Sequence, residues 1–106
     1  MTSTLMARED RWKQVVDKDI AVLKEKNDAD TGYDDSWKRR GGVGAFMMAA
    51  RKWDRLEVAA RRCGWDIFEA ITRDHRPENV LDDIGDLRRY LILIEEHIRT
   101  NIETEE

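Results

Sequence analysis

At 106 residues the chain is long enough for one domain with one modest core. A charged fraction of 40%, with one Pro and six Gly, excludes a turn-rich β fold and suits helices. The net charge of −4 excludes a generally basic nucleic-acid binder, so no direct nucleic-acid partner is expected, and the lone Cys63 excludes an intramolecular disulfide or a Cys-based zinc site.

Met1 to Asp10 hold no apolar signal region, and no segment has the roughly eighteen consecutive apolar residues of a membrane span. The expectation is a single soluble domain over residues 1–106, cytoplasmic, with no membrane partner.

The first predicted helix covers 7–26. Trp12, Val15, Val16, Val22 and Leu23 recur on one face, and Ile20 lies at its edge. Asp19 falls near the middle of that face, so its carboxylate needs an ion pair, a metal or an opening to water. Residues 27–42 follow as a long linker rich in Asn, Asp and Gly, and loops this long are functional or disordered. Tyr33 and Trp37 argue against plain disorder, and Lys38, Arg39 and Arg40 form a basic run. Gly41-Gly42 ahead of a helix is an ordinary breaker, or a set of backbone N–H groups offered to a phosphate.

The second predicted helix covers 43–63, with Phe46, Ala49, Trp53, Leu56, Ala60 and Cys63 as its apolar arc. Asp54, Glu57 and Arg61 adjoin that arc, while Arg51, Lys52, Arg55 and Arg62 project mostly the other way. Gly64 is the stop. A short third helix runs from Trp65 to Arg73, and His75 sits in the loop after it, a solvated histidine in preference to a ligand. The last helix starts near Glu78 and reaches about Thr100 before the acidic tail of residues 101–106. Val80, Ile84, Leu87, Leu91, Ile94, Ile98 and Ile102 form its stripe, with Leu81 and Ile92 well off it. So broad an apolar surface implies more than one packing partner, and a second copy of the chain, in a homo-oligomer, is a candidate. Gly85 inside this helix suggests the close approach of a neighbouring helix. The fold class is all-α, a four-helix bundle of three long helices and one short.

The acids make a pattern. Asp54-x-x-Glu57 and Asp83-x-x-Asp86 each project from one helix face beside an apolar stripe. If the two helices pack antiparallel, four carboxylates meet and require a cation. Mg²⁺ (or Mn²⁺), completed by substrate phosphates, is the natural occupant. A carboxylate not fully engaged with the metal would take the proton of an attacking water; Glu57 and Asp83 are the candidates. Lys38, Arg39, Arg40 and Lys52 are candidate phosphate-binding residues, and Tyr33 and Trp37 candidate base-stacking ones.

Asp82-Asp83-Ile84-Gly85-Asp86-Leu87 with Tyr90-Leu91 resembles the second acidic motif of the MazG-like all-α nucleoside triphosphate pyrophosphohydrolases, and Asp54-x-x-Glu57 stands in the place of the first. Gly32-Tyr33-Asp34-Asp35-Ser36-Trp37 and Arg51-Lys52-Trp53-Asp54-Arg55-Leu56-Glu57 are similar to the nucleotide-modification-associated domain seen in phages. The resemblance implies metal ligation by Asp54, Glu57, Asp83 and Asp86, with Asp82 and Asp19 as weaker additions. It implies hydrolysis of (d)NTP to (d)NMP and pyrophosphate. Most motif positions are Asp where those enzymes have Glu, one methylene longer. That leaves a non-catalytic nucleotide-sequestering accessory protein as an alternative, and a helical protein-interaction module as a third.

Overall fold

The computed structural model describes residues 4–28 and 36–105, and side-chain surroundings within 7–26 and 37–102. It is all-α: α1 (Thr4–Asp28), a 3₁₀ turn (Ser36–Lys38), α2 (Gly41–Arg61), the short α3 (Ile67–Arg73) and α4 (Val80–Glu105). Three helices are long and one is short, with no strand among the described residues. None of these helices is long and apolar enough to cross a membrane. By its contacts the chain divides into two units, Met1–Ser36 and Trp37–Glu106.

In the first unit α1 does not bury the face expected of it. Trp12, Val15, Val16 and Ile20 are exposed, and Val22 and Leu23 are half-buried. Asp19 is the one fully buried residue of α1 among those described, and it is not without an interaction partner.

In the second unit α2 and α4 run antiparallel, since Lys52 meets Asp86 and Arg55 meets Asp83. The core lies where the C-terminal half of α2, α3 and the first turns of α4 converge. Leu56, Ala70 and Val80 are buried there, ringed by Ala59, Cys63, Ile67, Ile71, Ile84 and Leu87. Val80 is wholly buried, a burial worth about 1.5–3 kcal/mol. The buried line of α2 is Ala45, Ala49 and Leu56, with Lys52 half-buried between them. Phe46 (68%) and Trp53 (57%) are exposed instead. The helix is therefore turned away from the expected arc. Alanines let α4 approach closely, and long Lys and Arg stems lie along an apolar contact while their charged ends find carboxylates.

The turn after α2 is sharp. Gly64 (φ 62°) and Trp65 (φ 70°) are both left-handed, and the Trp65 N–H closes the helix on the Ala60 carbonyl at 2.7 Å. A left-handed Trp costs about 1–2 kcal/mol, and it redirects the chain into α3. Asp66 caps α3 by accepting from the Phe68 and Glu69 N–H groups. Asp74 ends α3 and ties the next loop: its carboxylate accepts from the Arg76 backbone and guanidinium and from the Val80 N–H.

Asn79 opens α4 with a reciprocal cap. Its side-chain oxygen accepts from Leu81 and Asp82 N–H, while Asp82 accepts from the Asn79 N–H. One of the three clustered acids is thus a helix-capping residue. Gly85 is explained differently from expectation. A Cβ there would meet the Arg89 guanidinium at 3.0 Å, so the space belongs to a side chain of α4 itself rather than to a neighbouring helix.

Candidate functional site

Asp83, Asp86, Tyr90 and His97 do share one line along α4, and part of that line faces α2. What meets them there is basic. The Arg55 Nε lies 2.9 Å from Asp83 Oδ1, and Arg76 Nη2 lies 3.4 Å from Asp83 Oδ2. Lys52 Nζ lies 3.0 Å from Asp86 Oδ2, and Arg89 Nη2 donates to Asp86 Oδ1 at 2.8 Å. Asp83 is 1% exposed, so its charge has cations in place of water.

This arrangement differs from the expected metal quartet. Among the described residues no three His, Cys, Asp or Glu side chains converge in a way that would hold a metal ion. Asp54 lies about 160° round α2 from Leu56 and is exposed, and Glu57 is only half-buried. Asp83 and Asp86 each face two cations instead. Asp83 is held in an ion pair with Arg55 and Arg76. The reason is rotational. Lys52 and Arg55 alternate with Asp54 and Glu57 along one segment, and packing turns the cations inward.

The electrostatics have a consequence for acid stability. Burial pushes the Asp86 carboxyl up, but Lys52 and Arg89 outweigh it and hold it below the ordinary carboxylate range. The Arg76 guanidinium holds Asp74 below that range more strongly. Both groups are depressed by folding. Their stabilisation is complete above the unfolded carboxyl pKa of about 4 and is lost as pH falls through the lower folded values. Urea midpoints are expected to be flat in this contribution near neutrality and to drop below about pH 4. Asp86→Asn should shed part of that slope, and a slope unchanged in the variant would refute the assignment.

A different feature gathers several expected ligand residues. A cavity of about 360 Å³ is lined by Trp37, Phe46 and His97, by the aliphatic Ile94, and by Lys38, Gly41 and Gly42. Trp37 is buried and meets His97 edge-on, with ring centroids 6.1 Å apart. The Lys38 ammonium stands 5.8 Å from the Trp37 ring centre. Gly41 and Gly42 are the first turn of α2 rather than a break before it. Gly41 takes φ +73°, which glycine adopts without strain, and Arg40 at the cap position makes no side-chain cap. The first N–H groups of this 21-residue helix thus receive no cap from the Arg40 side chain, beside an aromatic cavity.

Of the expected phosphate residues, Lys38 lines this cavity, and Arg39 and Arg40 are exposed next to it in sequence. Lys52 is elsewhere: it is bound to Asp86, roughly 15 Å along α2 from Gly42. Trp37 is in the cavity wall, while Tyr33 lies outside the described residues. Phe46 and His97 were not expected in such a site. Phe46 reads as core from its apolar spacing, and only its exposure reveals it as a wall. No protein-family model matches the chain, and comparisons with curated proteins and with solved structures give no match.

Proposed function

We propose that this protein binds a nucleotide, with the base in the Trp37–Phe46–His97 cavity and the phosphates at the N-terminus of α2. The observation that carries this reading is that one cavity joins aromatic walls, Lys38 and the glycine-lined helix start. Its volume lies in the range of about 300–1,000 Å³ used for small-molecule ligands. Aromatic faces suit a base, and N–H groups at the positive end of a helix suit phosphate. The resemblance of the α4 acids to MazG-like enzymes supports a nucleotide as the ligand class.

Hydrolysis of (d)NTP to (d)NMP and pyrophosphate with Mg²⁺ or Mn²⁺ is the second reading. One observation favours it: Asp83 Oδ1 is buried and, despite its short distance to Arg55, accepts no aligned hydrogen bond. Calorimetry with an NTP and dNTP panel, with Mg²⁺ and with EDTA, separates the two. Binding that survives EDTA without pyrophosphate release is expected. Metal-dependent pyrophosphate release abolished by Asp86→Ala would establish the second reading, and no binding across the panel would remove the first.

The same proposal includes self-association. Val43, Phe46, Met47 and Trp53 are exposed on α2, as are Leu91, Ile98 and Ile102 on α4. So many large apolar side chains on a chain this small favour a homo-oligomer. A one-copy mass by light scattering would overturn that part.

A further inference from the structure

The opposite end of α2 carries a second cavity, of about 610 Å³, which the nucleotide reading does not use. Its floor is apolar: Val58, Ala59, Cys63 and Ala70. Its charged lining is Arg55, Arg62, Arg73 and Arg76, with His75 and a single carboxylate, Asp74. These side chains come from α2, α3 and the loop before α4, so the fold gathers them from separate places.

The guanidinium groups are held but not used up. Arg55 meets Asp83 through Nε at the edge of the core, and no contact occupies its terminal nitrogens among the described residues. Arg73 meets Glu69 through Nε as well. Arg76 spends Nε and Nη2 on Asp74 and Nη2 again on Asp83, which fixes its plane and leaves Nη1. Arg62 is exposed and meets no carboxylate among the described residues. Carboxylates therefore orient three of these side chains, Arg55, Arg73 and Arg76, from behind or alongside, and N–H groups remain for a ligand. Guanidinium forks match phosphate oxygens in pairs, and hydrogen bonds between charged partners are the strong ones. Four guanidinium groups line this open cavity with Asp74 as the one carboxylate in its wall, so the opening favours an anion.

We propose that this cavity is a second ligand site, for a small molecule that joins a phosphate or pyrophosphate group to an apolar body. The phosphate meets Arg62, Arg73 and the free edges of Arg55 and Arg76, and the body rests on the Val58–Ala59–Ala70 floor. The apolar floor separates this site from a plain phosphate sink: an organic diphosphate binds it more tightly than inorganic pyrophosphate does. The inference does not rest on nucleotide binding at the Trp37 cavity.

Cys63 supplies a local reporter, because its thiol is in the wall and half-buried. The test is the rate of Cys63 alkylation by iodoacetamide in the full chain, with inorganic pyrophosphate, a nucleoside diphosphate and a short branched-alkyl diphosphate in turn. Potassium chloride at matched ionic strength is the control. Saturable protection is expected from the phosphate compounds and not from chloride, with at least one organic phosphate acting at lower concentration than pyrophosphate. Arg62→Gln and Arg73→Gln, both on exposed side chains, are each expected to raise the half-protecting concentration about tenfold. Lys38→Gln, at the other cavity, should leave it unchanged. Absence of protection in the wild type overturns the proposal, as does protection that survives the Arg62→Gln/Arg73→Gln pair. Pyrophosphate protecting as well as every organic phosphate would reduce the site to an inorganic-anion site and overturn the ligand class.

Discussion

Arg55→Ala is expected to destabilise the protein by about 3 kcal/mol, the largest effect of any single change between α2 and α4. The reason is an asymmetry within the ion pair. Asp83 is 1% exposed, whereas Arg55 is 37% and Arg76 46% exposed. Removing Arg55 strands a carboxylate that cannot reach water, with Arg76 at 3.4 Å as its remaining cation. Removing the carboxylate strands only cations whose ends can be hydrated. Asp83→Leu is therefore expected to cost about 1 kcal/mol or less, because the leucine also joins the adjoining apolar core. Arg55→Ala/Asp83→Leu should resemble Asp83→Leu rather than the sum of the single changes. Urea unfolding of the four proteins is the measurement. An Arg55→Ala cost of about 0.5 kcal/mol or less would mean an ordinary surface pair and would sink the argument.

That asymmetry also shows where the sequence was legible. The i, i+3 spacing of Asp83 and Asp86 places them on one side of α4, and the structure has them so, beside the apolar stripe that locates the helix. The partner of that side was not legible. Lys52, Asp54, Arg55 and Glu57 lie within six consecutive residues, and Lys52 and Asp54 are about 160° apart round the helix. The rotation of α2 decides whether α4 meets bases or acids. Reading α2 by hydrophobicity turns Phe46 and Trp53 inward. Packing turns Ala45 and Ala49 inward instead, because α4 comes close and its acids draw Lys52 and Arg55 with them. The caps were partly hidden for a related reason. Asp82 reads as a third acid of a cluster until the start of α4 is known, and then it is the reciprocal cap of Asn79. Both cavities depend on distances between elements, which periodicity along one helix does not contain. The Gly41-Gly42 signal was visible; that Phe46 and His97 would stand beside it was not.

Gly42→Glu is expected to move stability and ligand binding in opposite directions. Gly42 is exposed in the first turn of α2, and a Cβ built there meets nothing within 4 Å. Replacing glycine by a better helix former, and placing an anion at the positive end of the helix, should together stabilise the protein by about 1 kcal/mol. The same anion occupies the potential and the N–H groups that a ligand phosphate would use. Nucleotide affinity should fall by at least about tenfold. Gly42→Ala separates the two causes, since it keeps the gain in helix propensity and adds no charge. It is expected to raise the melting temperature while changing affinity by no more than about twofold. Thermal unfolding and calorimetric titration on the three proteins give both readouts. Wild-type affinity in the glutamate variant would show that the phosphates do not sit at this helix end, whatever happens to stability. A loss in both variants would point to crowding of the cavity rather than to charge. Only the split result, a more stable protein that has lost its ligand, identifies the start of α2 as the phosphate end of the site.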